Sequence, residues 1–112
     1  MDLRRLQQIK AAFEKERGWN KFPASQVFGH LIEELGEISR YISYEEGYKI
    51  PGIGHEAPKK NELEREFAQS FSLFIQLANH FEVDLEAAVL AELEIMKDRF
   101  PAAEWAELMK DR

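Results

Sequence analysis

The chain has 112 residues, no cysteine and a formal net charge of −6, with 15 basic residues set against 21 acidic ones. That length gives room for one domain, residues 1–112, with a modest core. The missing thiols exclude disulfides, thiolate metal sites and cysteine nucleophiles, and the scattered basic residues form no stripe that would make a nucleic-acid polymer an expected partner. No apolar stretch is long enough for a membrane span, and Met1-Asp2-Leu3-Arg4-Arg5 lacks the apolar run of a signal peptide, so the expected location is cytoplasmic.

Leu3, Leu6, Ile9 and Phe13 recur at helical spacing and predict a first helix over about 2–17, with Gly18 as its terminator before Trp19. A second helix starts near Pro23 to Ser25, where proline suits a first turn and serine can cap free amides, and runs to about Tyr44. Its apolar stripe is Val27, Leu31, Leu35, Ile38 and Ile42. Gly47, Pro51, Gly52, Gly54 and Pro58 make 47–60 a long loop. Leu63, Phe67, Phe71, Phe74, Leu77, Ala78 and Phe81 predict a third helix over about 61–81. A fourth begins after Asp84 as its cap and ends near Arg99, and Pro101 opens a short fifth holding Trp105 and Leu108. The fold class is therefore all-α, a small bundle of four main helices plus a short C-terminal one. Apolar positions cover nearly half the circumference of the third helix, more than one packing stripe needs, which predicts a homo-oligomer interface there.

The chemistry is concentrated in His30-Leu31-Ile32-Glu33-Glu34-Leu35-Gly36-Glu37. Glu34 and Glu37, three apart on a helix, are neighbours that repel unless a cation joins them. Glu34 falls at the edge of the apolar stripe, where an unpaired carboxylate is costly, while Glu33 points further toward solvent. On the third helix Glu66 lies in the apolar arc among Leu63, Phe67, Ser70 and Leu73. A carboxylate so placed faces another helix. Two glutamates from one helix and oxygens from a facing one suit a hard cation such as Mg²⁺. Three residues on stands Gln69, whose oxygen can ligate without bringing charge. The same acidic pattern also arises as the solvated face of an ordinary helix.

Three stretches, in order, carry a resemblance. They are Glu16-Arg17-Gly18-Trp19 followed by Glu33-Glu34-Leu35-Gly36-Glu37, then Glu66 on its apolar helix, then Val83 to Ala91 followed by Arg99-Phe100-Pro101. Over about residues 13–101 the chain resembles the MazG-like all-α nucleoside triphosphate pyrophosphohydrolases. The resemblance implies cleavage of a nucleotide between its α and β phosphates, in a homodimer or homotetramer, with Mg²⁺ or Mn²⁺ held by acidic clusters of two helices. It assigns metal binding to Glu34, Glu37 and Glu66, with Gln69 where the family has an aspartate, and gives Glu33 a role in orienting water. Where the family usually places lysine and asparagine on its fourth helix, this chain has Glu92, Ile95 and Met96, leaving Arg99 of that basic edge. Lys49, Lys59 and Lys60 of the loop are substitute cations for substrate binding. Two functions stay open at this point: a Mg²⁺-dependent nucleotide pyrophosphohydrolase with a divergent metal site, and a non-catalytic helical oligomer that binds a nucleotide or a protein partner.

Overall fold

The computed structural model describes the whole chain, Met1 to Arg112, as five helices with no strand: α1 (Leu3–Glu16), α2 (Ala24–Glu45), α3 (Lys60–His80), α4 (Leu85–Arg99) and α5 (Ala102–Met109). A single 3-10 turn, Trp19–Lys21, joins α1 to α2.

The helix ends follow from local chemistry. Asp2 caps α1 by accepting the Arg5 N–H at 2.7 Å, and Gly18, at φ +73°, takes the left-handed conformation that turns the chain out of it. At the start of α2 Pro23 holds the cap position and its carbonyl accepts from the amides of Gln26 and Val27, so Ser25, the expected cap, lies inside the first turn instead. Asp84 caps α4 as expected, accepting the Ala87 N–H at 3.1 Å, and Arg4 of α1 donates to it from Nε at 2.9 Å. The Ala87 amide first, and Arg4 after it, hold the Asp84 carboxyl below its ordinary range.

The central contact is α2 against α3, with α1 packed along α3 and the start of α4 against α1. Val27 and Leu31 from α2 meet Ile75 and Ala78 from α3, and these four are the buried apolar side chains. A polar clamp ties three helices beside them. The buried Gln7 donates from Nε2 to Asn79 Oδ1 (3.0 Å) and to the Val83 carbonyl (2.8 Å), and its Oε1 accepts the Leu85 N–H at 2.9 Å. Asn79 returns a bond from Nδ2 to the Gln7 carbonyl at 3.1 Å.

Much apolar surface has no cover within the chain. Phe67, Phe71, Phe74 and Phe81 of the wide α3 arc are exposed, as are Leu35 and Ile42 of the α2 stripe. Residues 87–112, with Leu90, Leu93, Ile95 and Trp105, are exposed throughout, because α4 and α5 stand away from the α2–α3 pair. The radius of gyration is 18.3 Å, against about 13 Å for a compact domain of this length. The surface is 8880 Å², where a folded monomer of 13.1 kDa exposes roughly 6400 Å².

Replacing Gln7 by Leu leaves the Leu85 N–H, the Val83 carbonyl and Asn79 Oδ1 without their partner, at a cost of about 2–4 kcal/mol. Urea unfolding of Gln7→Leu against wild type measures it.

Candidate functional site

α2 and α3 bring the acidic residues together because their apolar stripes face one another and the glutamates sit at the stripe edges. Glu34 is half-buried, with 19% of its side chain exposed, and His30 one turn earlier places Nε2 3.4 Å from its Oε1. Across the pair Glu66 is also half-buried, and its Oε2 is sealed from solvent without a hydrogen-bond partner. One turn further along α3 the Ser70 hydroxyl is buried and unpartnered too. Two orphaned polar atoms on one helical face are costly unless something polar or cationic reaches them.

The electrostatics give the same picture. The Glu66 carboxyl is pushed up to about 7, first by the neighbouring Glu34 carboxyl, then by burial and by the charges of Glu34 and Glu37, with Arg65 pulling the other way. Two carboxylates this close cannot both ionise freely without a compensating cation. The folded chain thus holds this proton more tightly than the unfolded chain, whose glutamate titrates near 4.5. The contribution of this group to stability accordingly falls as pH rises from about 4.5 to about 7, and the penalty is complete above that.

Other expected residues lie around this pair. Glu37, on the exposed flank, has Oε2 3.5 Å from Arg40 Nε. Glu33 is exposed on α2 and Gln69 is exposed on α3, both outside the half-buried contact. No group of three or more histidine, aspartate or glutamate side chains is arranged to hold a metal ion. Mg²⁺ commonly takes one or two carboxylates, several waters and substrate phosphates, and Glu34 with Glu66 meets that lesser requirement. Lys59 is exposed at the start of α3, where its backbone N–H donates to Glu62 at 3.2 Å. Lys49 is half-buried in the loop, and the Arg99 guanidinium lies 5.0 Å from the Phe100 ring on exposed α4. None of these three cations stands in the wall of the cavity that Glu37 and Glu66 line.

Arg40 does. A small cavity of about 100 Å³ is lined by Glu37, Arg40, Tyr41, Glu62 and Glu66 with Pro58 and Leu63, and Arg40 also donates to the Glu56 carbonyl of the loop at 3.4 Å. Sequence reasoning missed it, although an arginine three residues after Glu37 on the same helix was a usable signal. On the other side of His30 a cavity of about 380 Å³ is walled by Trp19, Phe22, Gln26, Val27, Leu73 and Gln76. Its aromatic wall comes from the 3-10 turn and the residue after it, and Gln76 fixes that turn by donating to the Trp19 carbonyl at 3.3 Å. Val27 and Glu34 are seven residues apart on α2, roughly 10 Å along the axis, so carboxylates and aromatic cavity lie within one nucleotide's length.

No family model matches the chain. Over 103 residues it is 29% identical to dCTP pyrophosphatase 1 of Homo sapiens, an alignment covering 90% of this chain and 58% of that protein. The Rattus norvegicus protein of the same name is also 29% identical over 103 residues, again 58% of its length, so the chain spans well under two thirds of these mammalian relatives. Uncharacterized protein YvdC of Bacillus subtilis (strain 168) is 32% identical over 94 residues, covering 81% of this chain and 89% of that one. With the all-α architecture and the paired acidic helices, these likenesses show that the chain belongs to the MazG-like family of all-α nucleoside triphosphate pyrophosphohydrolases.

Proposed function

We propose that this chain is a nucleotide pyrophosphohydrolase converting a nucleoside triphosphate to its monophosphate and pyrophosphate. The observation that carries the reading is the half-buried carboxylate pair Glu34 and Glu66, with an orphaned carboxylate oxygen, beside a cavity large enough for a nucleoside. The name of the mammalian relatives supports the same reaction class.

In this reading the nucleoside lies against Trp19 and Phe22, and the triphosphate runs along α2 toward the glutamates. Glu34 and Glu66 would hold Mg²⁺ or Mn²⁺ with waters and substrate phosphates, leaving Glu37 and Gln69 at the rim. The ion supplies neutralisation of phosphate charge when bound. Arg40 offers a fixed planar donor to the same phosphates and takes over part of the charge that Glu92 and Met96 do not provide. Glu33 positions a water and accepts its proton as the water oxygen bonds to the α-phosphorus; the bond from that phosphorus to the bridging oxygen breaks, and pyrophosphate leaves. Exposed Glu33 acts at the margin of the site, where the phosphates emerge.

The chain also self-associates, as a homodimer or homotetramer, in this reading. Surface in excess by roughly 2500 Å² and the bare α3 and α4 faces are what a second copy would cover. Its interior location is proposed as cytoplasmic; no helix is long and apolar enough to cross a membrane.

A specific observation favours the second reading, a MazG-like oligomer that binds a nucleotide or protein partner without turning it over. Gln69 stands exposed and uncharged where the family resemblance puts an aspartate, and Glu92 and Met96 are exposed on α4. The decision comes from pyrophosphate release over a panel of nucleoside triphosphates with Mg²⁺. Hydrolysis predicts turnover that falls at least about 100-fold in Glu34→Gln and in Glu66→Gln, and a KM raised about 10- to 100-fold in Arg40→Ala. Nucleotide binding without any release would favour the second reading. Sedimentation equilibrium at micromolar concentration is expected to give at least twice the chain mass, and a single-chain mass would refute self-association.

A further inference from the structure

One polar side chain in the α2–α3 contact is used neither by the packing nor by the reaction described above. Ser70 is only 5% exposed, and its hydroxyl is sealed from solvent without a hydrogen-bond partner. A serine inside a helix ordinarily donates to the carbonyl four residues back, as Ser43 does to the Ser39 carbonyl at 3.1 Å. Ser70 makes no such bond. The buried Glu14 of α1, by contrast, is paired with Lys10 at 3.4 Å. If close helix packing were all that this position required, alanine would meet it without stranding a hydroxyl.

The register of the two helices shows what Ser70 faces. One cavity between them joins Glu37 and Tyr41 of α2 to Leu63 and Glu66 of α3, and another joins Val27 and His30 to Leu73 and Gln76. The helices therefore run antiparallel, and Ser70, between Glu66 and Leu73, lies across from Glu33 and Glu34, between Glu37 and His30. Of those two Glu34 is the half-buried one. Glu66 stands one turn before Ser70 on the same face of α3, and its Oε2 is the other stranded oxygen of that face. Two carboxylates and one hydroxyl thus share one level of the helix contact, while Gln69 beside them is exposed.

We infer that the Ser70 hydroxyl is a neutral oxygen ligand of the divalent-cation site formed by Glu34 and Glu66, supplying from the buried face what exposed Gln69 is not placed to supply. The inference rests on the carboxylate–cation reading above and adds to it a further ligand from this chain. Hard cations take hydroxyl oxygens as well as carboxylates, and the serine or threonine of phosphate-binding loops holds Mg²⁺ in this way. A neutral ligand also adds no charge to two carboxylates that already crowd one another, where a third anion would deepen their repulsion.

The test is calorimetric titration of Mn²⁺ and of Cd²⁺ into the metal-free full chain, with Ser70→Ala and Ser70→Cys beside wild type. The chain has no cysteine, so the thiol of Ser70→Cys is its only one and replaces a hard oxygen by a soft sulfur with little change of shape. Wild type is expected to bind Mn²⁺ saturably and Ser70→Ala to bind it about tenfold or more weakly, while Ser70→Cys moves the ratio of affinities about tenfold or more toward Cd²⁺. Metal-free Ser70→Ala is expected to unfold at or above the wild-type temperature, because it strands no hydroxyl. Mn²⁺ affinity within about twofold of wild type in Ser70→Ala, or an unmoved ratio in Ser70→Cys, overturns the inference and leaves the carboxylate site standing. A metal-free Ser70→Ala that melts well below wild type overturns it too, since the hydroxyl would then serve a structural bond. No saturable Mn²⁺ binding by wild type defeats the carboxylate–cation reading itself, and this inference with it.

Discussion

Two carboxylates facing each other across a helix pair cannot both carry charge in a half-dry contact, and Glu34 with Glu66 is such a pair. The same packing that buries Val27 and Leu31 against Ile75 and Ala78 forces these glutamates together at the edge of the core. Without a cation Glu66 holds its proton to about pH 7, and the chain carries the cost of that arrangement in its own stability. A solvated acidic face would carry no such cost, since its side chains turn outward and titrate independently. The difference between those two situations is what raises the acidic motif of α2 above a common sequence pattern.

The rest of the chain is arranged around that contact. α1 supplies the Gln7 clamp and the buried Glu14, and the 3-10 turn after it supplies Trp19. The long loop reaches back to Arg40 through the Glu56 carbonyl. α4 begins against α1 and then leaves the core, so its apolar residues point away from everything the single chain provides. A core of so few buried side chains explains why polar clamps and caps carry a large share of the tertiary order, and why the excess apolar surface matters to any account of the assembled protein.

The helices were legible in the sequence because apolar period, glycine stops and caps all agreed: Gly18 ended α1 and Asp84 opened α4 where expected. Ser25 misled because proline already held the cap position two residues earlier and its carbonyl met the first amides. The 3-10 turn was missed, since three residues between two helices carry no period to detect. At the site, Glu34 and Glu66 were found because a carboxylate on an apolar arc is anomalous from the sequence alone. Gln7 and Glu14 were not, because each is an ordinary polar residue on an amphipathic helix until the partner helix arrives. The loop lysines drew attention by charge, whereas Arg40, half-hidden in the α2 pattern, is the cation in the cavity wall. Distances across a fold decide such cases, and spacing along a chain does not contain them.

The central claim is that Glu34 and Glu66 form one proton- or cation-binding unit. Carboxyl carbon NMR of the metal-free chain, titrated from pH 3 to pH 9 and repeated with saturating Mg²⁺, measures it directly. The account predicts that Glu66 titrates near 7 without metal, and that Mg²⁺ drives this titration down below the ordinary glutamate value of 4.5. An ordinary titration near 4.5 in the metal-free chain, or a raised one that Mg²⁺ leaves unmoved, would contradict it.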